Sequence, residues 1–410
     1  MLSSRGQKKA ATYDIPWRYA VTPTYNKETN PNGTISFGLA EHGPVQPLIS
    51  EYINKNITFT TDSICYSSTA TSHPLQPALA AHINTFFSPL KPITPEMVTK
   101  CNGCSAAGNM LAFALAEPGD GVLVSRPVYG RFELDYGIEG GVQVVYADTE
   151  PGDVFEESCV ERYEEALREA DGRGVRVRAL VLVNPHNPIG RCYPTETLIE
   201  IMKFCNRHSI HLIADEIYAL CDFSSGGLHL GFIISYNAEL RRACSAMLRF
   251  HSPSGTAKQI GTAILQDEEF ISSFIKKSTK DLAFSYRLTT SVLDDAGIKY
   301  VKGGNAGFFL YMDLSPYLPE SEGLSGSERE FALAQRFLDN GLFLHPGEEH
   351  CKHLGWFRLV FSHEEGVLRE GLDRLVRTVR QLVTIGYGDL RITIRRGWGD
   401  ISSVAEGLMD

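Results

Sequence analysis

The chain has neither a long apolar run nor an excess of positive charge. Its first residues, MLSSRGQKKAATYDIPWRYA, contain no apolar segment typical of a secretory signal, and no run is long enough to span a bilayer. Lys and Arg number 39 against 49 Asp and Glu, which gives a net charge of −10 and does not indicate a nucleic-acid-binding surface. We therefore predict a cytoplasmic protein that binds neither membranes nor nucleic acids.

The sequence also lacks a disulfide framework and a recognisable metal motif. Its nine cysteines are scattered along 410 residues, which favours a reducing compartment. The segment HPGEEHCKH (345–353) matches no zinc-binding spacing, so we predict no metal site there. Cys101 and Cys104 in CNGC resemble a redox pair, but small side chains at the start of a helix account for them better.

Strand and helix patterns alternate through the first two thirds of the chain. The short runs GVLVSRP, GVQVVYAD, VRALVLVNP and IHLIADE predict strands, and amphipathic segments such as VERYEEALREADGRG predict the helices. The alternation indicates a three-layer α/β/α fold with a mostly parallel sheet, followed by a smaller α+β domain. The predicted divisions are an N-terminal arm with part of the small domain (1–54), a large domain (55–280), a small C-terminal domain (281–385) and an atypical tail (386–410).

Polar and aromatic residues follow several predicted strands. In VNPHNPIG and DEIYA, Asn187 and Asp215 come directly after buried strands, and ligands bind at the carboxyl ends of parallel strands. A carboxylate at Asp215 suits a cationic ring nitrogen, although a helix cap is an alternative interpretation. The segment CNGCSAAGNMLAFAL opens a helix whose N-terminus suits an anion, and Tyr129 in RPVYG suits stacking on a flat ring.

Together these motifs resemble the pyridoxal-phosphate-dependent aminotransferases of class I/II, which have the aspartate aminotransferase fold (fold type I). The resemblance extends from about residue 35 to residue 382. ISFGLAEH and FHSPSGTAKQIGTAILQDEEF are most similar to the branch that includes 1-aminocyclopropane-1-carboxylate (ACC) synthase and its fungal aminotransferase relatives. The resemblance implies pyridoxal 5′-phosphate as cofactor, an α-amino acid as substrate and a homodimer as the assembly.

The resemblance also implies roles for single residues. Asn187 and Tyr218 are expected to bond the 3′ oxygen of the cofactor, Asp215 to pair with the pyridinium nitrogen, and Tyr129 to stack on the ring. The cofactor phosphate is expected to be bound by the Cys104 backbone N–H, the Ser105 hydroxyl and Tyr66 of the partner subunit. The substrate is expected to contact Glu41 and Arg358.

One segment departs from the family pattern. The family has a lysine eight residues before an arginine that binds the phosphate, but here Cys221 and His229 stand at those two positions. In the family a few tens of residues, including a sheet strand, separate the DEIY motif from the lysine, whereas Tyr218 and Cys221 are three positions apart. The comparison predicts that one strand is missing, so that GLHLGFIIS moves in beside a remaining strand or the sheet keeps a gap.

The missing lysine bears directly on catalysis. In the family it binds the cofactor aldehyde as an imine and then shuttles the α-proton, and cysteine forms no stable imine. His229 replaces a permanent cation and its planar fork with an imidazole. Lys258 in SPSGTAKQIG superficially imitates a lysine motif, but its surroundings have helical periodicity, so we predict a lysine on a helix surface.

Two hypotheses about function follow. In the first, the protein carries out transamination or β/γ-elimination of an α-amino acid, in secondary metabolism, and the gap reflects an altered gene model or splice form. In the second, it is a catalytically inactive relative that binds pyridoxal phosphate non-covalently or acts as an interaction partner. The sequence leaves both open.

Overall fold

The computed structural model describes residues 2–11, 24–65, 74–219, 223–320, 323–347 and 353–385. Strands and helices alternate through the middle of the chain. The strands are β1 (Ile35–Ser36), β2 (Val98–Cys101), β3 (Gly121–Arg126), β4 (Gln143–Asp148), β5 (Val177–Val183), β6 (His211–Asp215), β7 (Gly231–Ile234), β8 (Lys299–Tyr300), β9 (Phe309–Asp313), β10 (Leu342–Phe343) and β11 (Trp356–Val360). The helices are α1 (Ser4–Ala11), α2 (Gln46–Asn56), α3 (Thr61–Ile64), α4 (Leu75–Phe86), α5 (Gly103–Leu115), α6 (Phe132–Gly137), α7 (Cys159–Gly172), α8 (Thr195–Arg207), α9 (Ala238–His251), α10 (Gly255–Gln266), α11 (Glu268–Asp295), α12 (Gly326–Asp339) and α13 (Glu365–Ile385).

The larger sheet has four parallel strands in the order β4-β3-β5-β6. Alternate residues of β5 point to opposite faces, as the pleat of a strand requires. Leu180 and Leu182 pack with side chains of α7 and α8, whereas Ala179 and Val181 pack with side chains of α5 and α6. A strand that is covered on both faces is apolar at nearly every position, and the predicted three-layer α/β/α fold is confirmed.

A second, two-stranded sheet continues the large core. β2 and β7 pair antiparallel, with Val98 opposite Ile234 and Cys101 opposite Gly231. No strand among the described residues pairs with the remaining edge of β6 or of β7. Ile213 of β6 nevertheless packs against the same apolar cluster as Ile233 of β7, beneath helices α5 and α9. GFII therefore lies beside β2, and the sheet is interrupted where the sequence predicts a missing strand.

The C-terminal part has its own core. β11, β9 and β8 form an antiparallel sheet, and β1 pairs with β10. One cluster joins Ile35 and Phe37 near the N-terminus to buried residues between 293 and 379. This packing accords with a small domain built from both ends of the chain, whereas the exact domain boundaries stay a prediction.

The described residues include no membrane-spanning helix, metal cluster or disulfide bond. None of the helices described there is both long and apolar enough to cross a membrane. The same residues contain no group of three or more His, Cys, Asp or Glu side chains arranged to hold a metal ion. All the cysteines that they include are free thiols: Cys65, Cys101, Cys104, Cys159, Cys192, Cys205 and Cys244.

Candidate active site

Asn187 links three parts of the chain that are distant in sequence. Its side-chain amide donates to the Tyr218 hydroxyl at 3.2 Å, and its carbonyl oxygen accepts from Arg358 Nη1 at 3.0 Å. Arg358 Nη2 also donates to the Gly38 carbonyl at 2.7 Å. The loops after β5 and β6, strand β11 and the GLAEH segment therefore converge at the carboxyl edge of the large sheet, where a ligand site is expected in an open α/β fold.

Aromatic rings hold the Tyr218 phenol in place. The Tyr218 ring makes edge-to-face contacts with Phe308 at 5.4 Å and with Phe309 at 4.9 Å between ring centroids. The guanidinium carbon of Arg358 lies 5.9 Å from the centroid of the Phe309 ring. Edge-to-face packing restrains the ring without using its hydroxyl.

Asp215 ends β6 as a half-buried carboxylate. Its Oδ1 accepts a hydrogen bond from the Ile217 backbone N–H at 3.2 Å, and no cation among the described residues forms an ion pair with it. Burial raises the pKa of Asp215 to about 6; the Ile217 hydrogen bond opposes this shift and the nearby Asp135 carboxylate adds to it. A cationic ring nitrogen beside Asp215 would lower this pKa again, which suits the role that the sequence predicts.

The start of α5 provides the predicted phosphate site. Cys104 and Ser105 are exposed in the first turn of this helix, where backbone N–H groups lack partners within the helix. The Ser105 hydroxyl hydrogen-bonds the Asp135 carboxylate, whose pKa is raised by burial. The Ser105–Asp135 contact was not predicted from the sequence, because it depends on how α5 packs against α6.

His229 lies against the same helix start. It is exposed and adopts a left-handed backbone conformation, with φ of +47°. A Cβ atom built on Gly103 would lie 3.4 Å from His229 Nδ1, and the Gly231 backbone packs directly on Gly103. The residue at the family's arginine position therefore borders the predicted phosphate site.

The sequence also predicts site roles for Tyr129 and Glu41. Tyr129 follows β3, is partly buried and contacts Phe132 edge-to-face at 5.2 Å. The exposed Glu41 carboxylate accepts from the Gln46 amide at 3.1 Å, and the Glu41 carbonyl accepts from the Ser362 hydroxyl at 2.5 Å. Stacking by Tyr129 and substrate contact by Glu41 stay predictions.

Lys258 was predicted to lie on the surface of a helix, and the structure differs from this prediction in one respect. It lies on a helix as predicted, with Ser254 capping the N-terminus of α10 by accepting from the Ala257 N–H at 3.1 Å. The predicted surface position is wrong, because Lys258 is only 4% exposed where α10 packs on α4. Burial lowers its pKa, and the pKa of buried Lys100 is lowered by burial and then by the charge of Lys258.

Lys100 was missed by sequence reasoning. It is 4% exposed on β2, and its amine donates to the Gln76 side-chain oxygen at 3.0 Å. A lysine inside the strand VTKC is the only signal that the sequence offers for it. Cys221 and Tyr66 lie outside the described residues, so their predicted roles stay predictions.

Two buried histidines, His42 and His186, and the partly buried His363 also escaped the sequence analysis. Burial lowers the pKa of His186 to about 3 and is the largest cause that lowers the pKa values of His42 and His363 to about 4. Neither ring nitrogen of His186 has a hydrogen-bond partner among the described residues. His42 is better satisfied, since its Nδ1 lies 3.1 Å from the Ser278 hydroxyl.

Because these histidines have lowered pKa values in the folded state, we expect the protein to lose stability in acid. Unfolded histidine has a pKa near 6.5, which is above the pKa values of these residues in the folded state. As the pH falls from about 6.5 to 4, the unfolded state therefore binds more protons than the folded state. The free energy of unfolding decreases over this pH range. Replacing His186→Leu is expected to reduce this slope by about 1 kcal/mol per pH unit. Denaturant unfolding at several pH values measures the slopes of both proteins, and equal slopes for wild type and His186→Leu would contradict the assignment.

Comparison with known proteins identifies the family. The aminotransferase class I and II family model matches residues 60–226 and 221–375. The two matched segments meet at 221–226, which is where the lysine segment is expected. Together they span most of the chain.

Curated relatives support the same branch. ACC synthase-like protein 1 of Mus musculus is 28% identical over 426 aligned residues, which cover 91% of this chain and 82% of the relative. ACC synthase 2 of Solanum lycopersicum is 28% identical over 413 residues, covering 88% and 83%. A Mus musculus protein named "Probable inactive 1-aminocyclopropane-1-carboxylate synthase-like protein 2" is also 28% identical over 398 residues, covering 87% and 68%.

A solved structure supports the fold. Aspartate aminotransferase from Thermus thermophilus, solved with maleate, superposes with a TM-score of 0.70 at 22% identity and covers 92% of this chain and 97% of its own. At this identity the likeness concerns the fold alone. With the family match and the convergence of Asn187, Tyr218 and Arg358, it leads to one conclusion: the chain belongs to the class I and II aminotransferases, whose cofactor is pyridoxal phosphate.

Proposed function

We propose that this chain binds pyridoxal phosphate non-covalently, together with a carboxylate ligand such as an α-amino acid, and does not turn the amino acid over. The observation that carries the proposal is Asp215, a half-buried carboxylate with a raised pKa and no cationic partner among the described residues. A protonated pyridine nitrogen is the partner that this carboxylate lacks. The family lysine, by contrast, is replaced by Cys221.

The residues present fit the ring and the phosphate of the cofactor. Asp215 would hold the ring nitrogen, Asn187 and Tyr218 the 3′ oxygen, and the N–H groups at the start of α5 the phosphate. When bound, pyridoxal phosphate supplies an electron sink for chemistry at the α-carbon of an amino acid. Arg358 is 6% exposed, already bonds Asn187, and offers a planar fork that matches an α-carboxylate.

The residues present do not fit covalent attachment or proton transfer. Cysteine at position 221 forms no stable imine with the cofactor aldehyde, and it is a poor group to take and return a proton at one carbon. His229 borders the phosphate site, but an imidazole lacks the permanent charge and the two-pronged geometry of arginine. We therefore expect weaker cofactor binding than in a relative that has both the lysine and the arginine.

Titration with pyridoxal phosphate tests this proposal. Adding the cofactor to the full chain is expected to give a saturable absorbance change that dialysis reverses. With cofactor present, amino acids should be consumed no faster than by pyridoxal phosphate in buffer alone. Failure to bind would remove the cofactor half of the proposal, and turnover above the buffer rate would remove the other half.

A second candidate function is the chemistry of the family, transamination or β/γ-elimination of an α-amino acid in secondary metabolism. It is favoured by the two-part family match, whose segments meet where a lysine-containing segment is expected, and by the retained Asn187, Asp215, Tyr218 and Arg358. Sequencing the transcript separates the candidates. Additional codons between Tyr218 and Asp222 that include a lysine would support catalysis, and an unchanged junction supports the non-catalytic role.

Assembly as a homodimer belongs to the same proposal. The resemblance gives Tyr66 a place near the phosphate of the opposite subunit, and membership of the aminotransferase family supports the assembly. Sedimentation velocity of the full chain distinguishes monomer from dimer.

A further inference from the structure

A carboxylate lies beside the predicted phosphate site at the start of α5. Gly108 comes three residues after Ser105, so the two residues lie on the same side of this helix. A Cβ atom built on Gly108 would lie 3.3 Å from the Asp135 Cβ atom, and the Asp135 carboxylate accepts a hydrogen bond from the Ser105 hydroxyl. Helix α6 therefore brings an acidic side chain against the side of α5 that is expected to meet the phosphate.

The Ser105 hydroxyl cannot donate to Asp135 and to a phosphate at the same time. A serine hydroxyl has one proton to donate, and an ionised carboxylate only accepts hydrogen bonds. Burial raises the pKa of Asp135, whereas the Ser105 hydrogen bond and the charge of Arg131 oppose this shift. The hydrogen bond therefore favours the ionised carboxylate, and a phosphate would have to take this donor away from Asp135.

A phosphate and the Asp135 carboxylate would also repel each other. A phosphate ester carries a charge of about −1.5 to −2 at neutral pH. In the family an arginine offsets that charge, but here His229 borders the site, and an imidazole lacks the permanent charge of a guanidinium. The charge of Arg131 already acts on Asp135. A phosphate at the start of α5 therefore meets a like charge without the family's arginine to offset it.

The same carboxylate suits the ring of the cofactor. Burial raises the pKa of Asp215, and the charge of Asp135 adds to this shift. Burial also raises the pKa of the Tyr136 phenol, and the charges of Asp215, Asp135 and Cys104 add to it, so this phenol is close to both ends of the site. A second carboxylate near Asp215 stabilises a cation there, such as a protonated pyridine nitrogen. Asp135 thus favours a cationic ring and disfavours a phosphate.

We propose that Asp135 is a specificity-determining residue, which selects against the phosphate group of the cofactor and lets the site take the unphosphorylated pyridine ring. The inference rests on the proposed function, because it places the ring at Asp215 and the phosphate at the start of α5. Asp215, Asn187 and Tyr218 then hold the ring, and the phosphate ester binds with little advantage over the free alcohol.

Two ligands that differ only in the phosphate test this selection. Pyridoxamine 5′-phosphate and pyridoxamine both carry the ring, and neither has an aldehyde that could react with a lysine. Calorimetric titration of the full chain measures their dissociation constants. Asp135→Asn is expected to bind the phosphate ester at least about tenfold more tightly than wild type, because the substitution removes the like charge and frees the Ser105 proton. Its affinity for pyridoxamine should stay the same or fall slightly, because the ring loses a nearby negative charge.

Glu133→Gln is the matched control. It removes the same charge from the same helix, α6, and Glu133 is exposed. Its carboxylate accepts from the Tyr146 hydroxyl at 3.0 Å and therefore faces β4. The control is expected to leave the affinities for both ligands as in wild type.

The unphosphorylated ligand separates a change of selectivity from a folding defect. Retained binding of pyridoxamine by Asp135→Asn shows that the variant has an intact site. An unchanged affinity for the phosphate ester, or an equal gain for both ligands, would overturn the selection while leaving the proposed function in place. Weaker binding of the ester by Asp135→Asn would mean that Asp135 helps to hold the phosphate and would overturn it as well. Binding of neither ligand by wild type and Asp135→Asn would remove the proposed function and this inference with it.

Discussion

Replacing Cys221→Lys alone is expected to leave the chain without measurable turnover of amino acids. A lysine amine acts only when the chain around it aims the amine at the cofactor aldehyde. The segment between β6 and β7 is too short to include a further strand, and the described sheet is interrupted at that point. A misplacement of about 1 Å can reduce a rate about a hundredfold, and an imidazole at position 229 lacks the permanent charge and planar fork of the family's arginine.

The measurement is amino-acid consumption with saturating pyridoxal phosphate. Cys65→Lys is the matched control, because it adds a lysine at an exposed cysteine remote in sequence from the β6–β7 connection. Both variants should match wild type. Turnover by Cys221→Lys at least tenfold above Cys65→Lys would show that the site geometry survives the loss of the strand.

Replacing Asp215→Asn is expected to weaken the binding of pyridoxal phosphate by about tenfold or more. The substitution removes a charge-assisted hydrogen bond to the ring nitrogen while keeping the shape of the side chain. The exposed neighbour Glu216→Gln removes the same charge and should change affinity little. Equal affinities for Asp215→Asn and wild type in a spectroscopic titration would mean that the ring does not lie against Asp215.

The same Asp215→Asn substitution, which weakens cofactor binding, is expected to stabilise the cofactor-free protein. The folded pKa of Asp215, about 6, lies above its ordinary value of 3.8, so the folded state holds this proton more tightly than the unfolded state does. The charged carboxylate therefore destabilises the cofactor-free fold above about pH 6, and this effect disappears below about pH 4. At pH 7.5, Asp215→Asn should raise the free energy of unfolding by about 1–2 kcal/mol, which separates loss of binding from loss of folding.

The parallel sheet could be predicted from the sequence because its periodicity is local. VRALVLV is apolar at nearly every position, which is the pattern of a strand covered on both faces, and the four-stranded parallel sheet confirms it. The interruption of the sheet was also predictable, because the distance from Tyr218 to His229 is too short for the expected strand. Neither inference required knowledge of distant contacts.

Other features depend on packing between distant segments. The Arg358–Asn187 hydrogen bond joins residues 171 positions apart, and the burial of Lys258 depends on how α10 packs on α4. The helical pattern around Lys258 identified the helix but not the face that is covered. The raised pKa of Asp215 likewise arises from burial and from Asp135, which no local pattern reveals.

Borohydride reduction of the chain with bound pyridoxal phosphate tests the central claim most directly. The claim is that this aminotransferase-family chain holds its cofactor without a covalent lysine. After reduction and proteolysis, mass spectrometry is expected to find no lysine that carries a pyridoxyl group in stoichiometric amount, while the unreduced sample releases its cofactor on dialysis. A single lysine modified to about one equivalent, at Lys258 or elsewhere, would contradict the account.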